Sequence, residues 1–225
     1  MSEMVTSRRY TLGLMFETLQ RACGPQRWWP ADTPTEVAVG AVLTQNTSWK
    51  SVETAVAAMK AAGLLDFRRV DAISESDLAD VIRPTGTYRV KAKRLKALAR
   101  WVCRRAGGSI ERALEGELSE LRRQLLTIRG IGPETADAIL LYAGRHPTFV
   151  VDAYTRRVLR RHAFIGADAD YKAIQARFET ALPRSVEVFN EFHALLVEIG
   201  KRHCRTRARC EGCPLESWPH DSTAA

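Results

Sequence analysis

Apolar residues recur along this chain every three or four positions, the spacing that gathers them on one side of an α-helix. Leu12, Met15, Phe16 and Leu19 form such a stripe within Tyr10–Arg21. Thr33-Pro34-Thr35-Glu36 is a capping box with proline at the first helical position, so a helix starts there and carries Val37, Val39, Ala41, Val42 and Leu43. The pattern predicts further helices from about Lys50 to Ala62, from the Ser74-x-x-Asp77 cap to just before Pro84, and over Tyr88–Arg105. In the last of these Leu95, Leu98, Ala99 and Val102 face the core and the basic residues face outward. Leu118–Leu126 and Pro133–Tyr142 read as a helical pair joined by Arg129-Gly130-Ile131-Gly132, and helices follow over Asp152–His162, Tyr171–Leu182 and Val186–Gly200. No run shows strand alternation between hairpin turns, no segment repeats, and the residues after Cys213 read as a loop-rich tail. The expected class is all-α.

A length of 225 residues suits one large or two small domains and buries a core without disulfides. A charged fraction of 27% and five Trp argue against disorder. No run approaches the roughly 18 apolar residues of a membrane span. The opening segment, with Glu3, Arg8, Arg9 and Glu17, lacks the long apolar run of a signal peptide. The expectation is a cytoplasmic protein, nucleoid-associated if bacterial, with no membrane partner.

The net charge of +8 is unevenly spread. Eight basic residues and no acid lie between Arg89 and Arg105; Arg156, Arg157, Arg160 and Arg161 form a second group; Lys201, Arg202, Arg205, Arg207 and Arg209 form a third. Any one run fits a solvated helix face, but three together favour a phosphate-binding surface, since each neutralised phosphate releases counterions. The cysteines fall into two sets. Cys23 and Cys103 stand alone in apolar surroundings and read as buried small hydrophobes. Cys204, Cys210 and Cys213 form Cys-x5-Cys-x2-Cys, which in a cytosolic chain reads as a metal or cluster site.

The most specific segment is Leu125-Leu126-Thr127-Ile128-Arg129-Gly130-Ile131-Gly132-Pro133-Glu134-Thr135-Ala136. It reads as a helix-hairpin-helix: glycines for positive φ and close backbone approach, and free N–H groups at the second helix's start, suited to a phosphate. A Gly-Ile-Gly turn alone also fits a plain helix connection. Eighteen residues after Glu134, however, Phe149-Val150-Val151-Asp152-Ala153-Tyr154-Thr155-Arg156-Arg157 puts a carboxylate at the opening of a basic helix. On its own Asp152 is a helix N-cap.

Together with Ala41-Val42-Leu43-Thr44-Gln45-Asn46-Thr47 and the cysteine loop, these segments resemble the endonuclease III superfamily of helix-hairpin-helix DNA glycosylases, over about Trp28 to Cys213. The resemblance implies two helical lobes: a six-helix barrel over residues 33–141, and residues 1–32 joined to 142–225 in a lobe bearing the cysteine loop. The implied partner is double-stranded DNA containing damaged bases, lying across the cleft with Asp152 at its mouth; a monomer is expected. Asp152 would stabilise positive charge on the sugar of a flipped-out nucleotide and activate water. Arg129, Gly130, Ile131, Gly132 and Thr135 of the hairpin, with Arg205, Arg207 and Arg209, would bind DNA phosphates. The carbonyls of Leu126, Ile128 and Ile131 match a monovalent-cation site, and Gln45 matches the wedge that fills the gap left by the flipped base.

The chain departs from the family in three places. Bifunctional members carry a nucleophilic Lys where this chain has Glu134, and a carboxylate cannot form an imine, so a glycosylase without lyase activity is expected. Trp28-Trp29-Pro30 and Trp49 resemble the 3-methyladenine DNA glycosylase III branch, with Trp28, Pro30 and Trp49 matching its base pocket; such π faces suit an alkylated purine. Cys204, Cys210 and Cys213 match three ligands of the family's [4Fe–4S] cluster, but the fourth cysteine is missing and His220 lies one residue beyond its place. A cluster with His220 or a non-protein fourth ligand, a Cys3His zinc site, and relic cysteines are the alternatives; the cluster, in a structural role, is the expectation. The runner-up functions are an oxidised-pyrimidine glycosylase with weak lyase activity and a non-catalytic DNA-binding module.

Overall fold

The helix starts are held by the side chains that announce them. Thr11, Thr33, Ser48, Ser74, Asp152 and Ser185 each accept a hydrogen bond from a backbone N–H in the following first turn. In the computed structural model, which describes residues 10–224, these caps open α1 (Leu12–Cys23), α2 (Pro34–Leu43), α3 (Trp49–Ala61), α5 (Glu75–Val81), α10 (Ala153–Arg161) and α12 (Val186–Arg202). The others are α4 (Phe67–Ala72), α6 (Tyr88–Ala106), α7 (Ile110–Ala113), α8 (Leu118–Thr127), α9 (Pro133–Ala138) and α11 (Tyr171–Ala181). No strand occurs among the described residues, and no helix is long and apolar enough to cross a membrane. Glu3, Arg8 and Arg9 lie outside the described residues.

The chain divides into two compact units, one formed by Trp29–His146, the other by the segment through Trp28 together with Pro147 onward. In the Trp29–His146 unit α2 is central: every residue from Glu36 to Leu43 is buried, and α3, α6, α7, α9 and the turn after α9 pack around it. In the other unit α12 packs against α1 and α10 over a phenylalanine core, with Phe149 and Phe178 stacked at 3.6 Å and Phe189 and Phe192 edge-on to Phe149.

Several local readings are corrected. The capping box at Thr33 is displaced: Thr33 accepts from Glu36 N at 3.2 Å, but the Glu36 carboxylate reaches back to Asp32 N at 2.9 Å. The helix after Pro133 changes to a wider π turn over Ile139–Ala143. α4 and α7 were not expected from the pattern. They are too short to show a full stripe, and α4 is closed from a distance by the Lys96 ammonium, which donates to the carbonyls of Asp71 (2.8 Å) and Ile73.

Lys96 and Lys91 thus turn inward from the face of α6 that reads as solvated. Lys91 is fully buried, donating to Thr85 O at 2.6 Å, and burial, aided by the charge of Arg94, brings its amine down to about 8. Cys23 and Cys103 are half-buried rather than buried.

Candidate active site and nucleic-acid interface

The hairpin is a rigid piece. Arg122 of α8 forks onto Asp137 of α9, Nε to Oδ1 at 2.7 Å and Nη2 to Oδ2 at 3.0 Å, and Asp137 is completely buried. Ile131 N donates to Ile128 O at 3.0 Å, closing the turn with one of the carbonyls matched to a cation site. The two glycines serve different needs. Gly130 has φ +89 and lies under the stem of Arg94, so both conformation and space exclude a side chain. Gly132 has φ −92 and caps α9; a Cβ there would meet nothing in the protein. The N-terminus of α9 is therefore open to an outside group, and backbone N–H groups at a helix start favour an anion. Arg129 and Glu134 are exposed, Thr135 and Ile131 buried.

Gln45 follows α2 in a turn made by Asn46 at φ +53, a region asparagine tolerates. Its Nε2 donates to Thr135 Oγ1 at 2.8 Å and to Gly130 O at 3.1 Å, while its Oε1 accepts from Arg94 Nη1. The expected wedge residue is thus tied to the hairpin on one side and to a cation on the other.

The tryptophans of interest are half-buried, whereas Trp101 and Trp218 belong to the core. Trp29, which the sequence comparison did not single out, is the hub: its ring meets Trp49 edge-on at 5.3 Å and Tyr142 of the π turn at 5.3 Å, and lies over Gly40, where a Cβ would sit 3.1 Å from it. Trp49 Nε1 donates to Glu53 at 2.8 Å, and Pro30 is exposed. Trp28 belongs to the other unit, with the Lys201 ammonium 5.5 Å from its ring centre.

Asp152 follows an extended segment fixed by α11. Gln175 donates to Phe149 O (2.8 Å), Phe149 N donates to Glu179 (3.0 Å), and Val151 N donates to the Tyr171 hydroxyl (3.3 Å). The carboxylate is 15% exposed; Oδ1 accepts from Thr155 N at 2.7 Å, and His193 Nε2 lies 3.7 Å from Oδ2. Burial pushes this carboxyl up, but the His193 contact and the Thr155 N–H together outweigh it and hold Asp152 below the ordinary carboxylate value. The sequence reading did not find His193. Its signal was a lone imidazole on the buried face of α12, seven residues before Gly200, which admits the Tyr154 ring and lets α10 approach α12 closely.

Arginines after Asp152 are used internally. Arg156 donates to Ala169 O (2.9 Å), Arg157 to the carbonyls of Cys204 and Gly200, and Arg161, only 3% exposed, to the carbonyls of Arg205 (2.6 Å), Thr206 (2.8 Å) and Ala224 (2.8 Å). Arg157 and Arg161 tie α10 to the cysteine loop, and Arg205, Arg207 and Arg209 on that loop are exposed.

Cys204, Cys210, Cys213 and His220 line one small cavity, and Arg161 Nη1 donates to Cys204 Sγ at 3.2 Å. Burial raises the Cys213 thiol, with Cys204 and Cys210 among the groups that add to it. His220 Nδ1 lies 2.7 Å from Trp218 O, which leaves Nε2 as the nitrogen a metal could use. No three His, Cys, Asp or Glu side chains among the described residues are grouped so that they could hold a metal ion.

A family model described as HhH-GPD superfamily base excision DNA repair protein matches residues 39–184. The chain is 45% identical over 196 residues to the Methanocaldococcus jannaschii protein MJ1434, whose assignment as a DNA repair glycosylase is itself provisional, covering 87% of this chain and 89% of that one. It is 30% identical to an endonuclease III of Sulfolobus acidocaldarius, covering 79% and 77%. Among solved structures, the Helicobacter pylori 3-methyladenine DNA glycosylase bound to 1,N6-ethenoadenine superposes with TM-score 0.76 at 29% identity, covering 86% of this chain and 98% of that one. An endonuclease III trapped covalently on DNA shares the fold, with TM-score 0.75, 22% identity and coverage of 93% and 92%.

Proposed function

We propose, from the premise that the chain belongs to the HhH-GPD superfamily of base excision DNA repair proteins, that it is a monofunctional DNA glycosylase releasing alkylated purines such as 3-methyladenine from double-stranded DNA. The observation that carries this reading is that the Asp152 carboxyl is held below its ordinary value, while the first turn of α9 carries Glu134 where lyase members present an amine. As the glycosidic bond breaks, its electron pair leaves with the base and neutralises the charge that alkylation placed there. Asp152 stabilises the cationic sugar, and water adds to C1′, giving up its proton to the Asp152 carboxylate. No imine forms, so the strand stays intact.

The substrate class is supported by the half-exposed Trp29–Trp49–Tyr142 cluster, whose faces suit a flat electron-poor base, and by the likeness to the Helicobacter pylori enzyme. Gln45 is the wedge in this reading, and the hairpin with Arg205, Arg207 and Arg209 holds the phosphates. Cys204, Cys210, Cys213 and His220 would hold a [4Fe–4S] cluster, which supplies rigidity to the loop carrying those arginines. Visible absorbance and iron analysis of anaerobically purified protein test it; one equivalent of zinc, or no metal, overturns it.

The main test is base release from duplexes carrying a lesion panel, with borohydride present or absent. Release of 3-methyladenine that falls at least about 10²-fold in Asp152→Asn, with DNA affinity retained, is the expected result. A borohydride-trapped adduct overturns the monofunctional assignment. Release of oxidised pyrimidines alone favours the endonuclease III-like reading.

A further inference from the structure

The outward face of α6 and the hairpin turn form the walls of a groove of about 570 Å³, lined by Lys93, Arg94, Arg100, Arg129 and Gly130. It continues past Arg100 and Arg129 into a second hollow of about 220 Å³ that reaches Arg104. Lys93, Ala97, Arg100 and Arg104 follow the i, i+4, i+7, i+11 spacing of one helix face, so the cations line up over ~16 Å, the axial length of ~5 nucleotides of one strand. Two carboxylates border the groove: Glu75 is 3.8 Å from Lys93 and Asp71 is 3.5 Å from Arg100. Both ion pairs are exposed, so they bind weakly and exchange readily for another anion.

We propose that this groove is a second phosphate-binding track, which takes the DNA backbone flanking the stretch held by the hairpin. The proposal rests on the reading that the hairpin engages DNA, and it extends that contact to α6, the element whose charge the sequence left unassigned. Continuity selects the ligand: the groove begins at Gly130 in the hairpin turn, so a strand seated on the hairpin leads into it. It also ends on the wedge. The stem of Arg94 covers Gly130 and its guanidinium holds Gln45 Oε1, so a phosphate entering the track meets the cation that restrains Gln45.

The test is fluorescence-anisotropy titration of an undamaged duplex with the full-length protein across a salt series. It compares wild type with the Lys93→Ala/Arg100→Ala/Arg104→Ala triple variant. A charge-matched control carries Lys172→Ala, Arg177→Ala and Arg184→Ala, all exposed positions outside the groove. Each phosphate contact contributes about 0.9 to the slope of log K against log salt. The groove variant is expected to lose about two to three slope units, and the control less than about one. Equal slopes in wild type and groove variant, or an equal loss in the control, overturn the proposal, as does a loss seen on double-stranded RNA but not on DNA. Should the triple variant fail to fold by circular dichroism, Arg100→Ala and Arg104→Ala are read singly, each expected to lose about one unit. The readout is binding to undamaged DNA, so it stands whether or not any lesion is released.

Discussion

The clamp between Arg122 and Asp137 makes a sharp prediction, because the two partners are unequally buried. Asp137 is fully enclosed, whereas the Arg122 side chain is 28% exposed. Arg122→Ala takes both charge-assisted guanidinium bonds from a carboxylate in the interior; breaking a buried pair this way costs about 3–5 kcal/mol. Asp137→Asn leaves the shape intact and a guanidinium that reaches water, so its cost is nearer that of one charged hydrogen bond, about 1.5–3 kcal/mol. With a urea m-value of about 2–3 kcal/mol/M, Arg122→Ala moves the midpoint of the Trp29–His146 unit down by about 1–2 M. Trp101, buried in that unit, is the fluorescent reporter, and amide exchange in α8 and α9 is the second readout. A midpoint shift below about 0.3 M, or Asp137→Asn costing more than Arg122→Ala, refutes the reasoning.

Three further outcomes follow from the same geometry. His193→Leu removes the contact that, with Thr155 N–H, holds the Asp152 carboxyl below its ordinary value, while the burial that raises it remains; the acid limb of single-turnover base release therefore moves to higher pH, and an unchanged limb would rule out a positioning role. Gly130→Ala strains a positive φ and meets the Arg94 stem, costing more than about 1 kcal/mol of stability; Gly132→Ala folds normally but weakens DNA binding, and equal behaviour of the two variants contradicts the assignment. Arg94→Ala and Gln45→Ala are non-additive in a double-mutant cycle on DNA affinity, with coupling above about 0.5 kcal/mol; strict additivity means that the contact has no part in binding.

What was legible in the sequence had a local cause. Caps such as Thr33, Ser74 and Asp152 act on N–H groups two or three residues away, and the apolar stripes need only the helical period, so long helices appear within a residue or two of their predicted bounds. What was not legible depended on distant partners. α4 is closed by Lys96 from α6, and His193 meets Asp152 across forty-one residues of chain. Trp29 becomes the aromatic hub only because Gly40 and Tyr142 come to it through folding.

Arginine is the hardest residue to read, since one guanidinium serves a phosphate or a carbonyl equally well. The group after Asp152 and the face of α6 are similarly basic in sequence, yet they separate in the structure. Arg157 and Arg161 sit where α12 ends and donate to loop carbonyls, so the fold itself uses their guanidinium groups. Lys93, Arg100 and Arg104 line a groove at whose rim Glu75 and Asp71 are held in exposed, weak ion pairs. If charge excess alone set DNA affinity, neutralising either group would cost the same number of counterions. The structure requires a distinction: Arg161→Ala should unfold the cysteine loop and lower the salt slope only through the displaced Arg205, Arg207 and Arg209, whereas neutralising the α6 face should flatten the slope while leaving the loop in place.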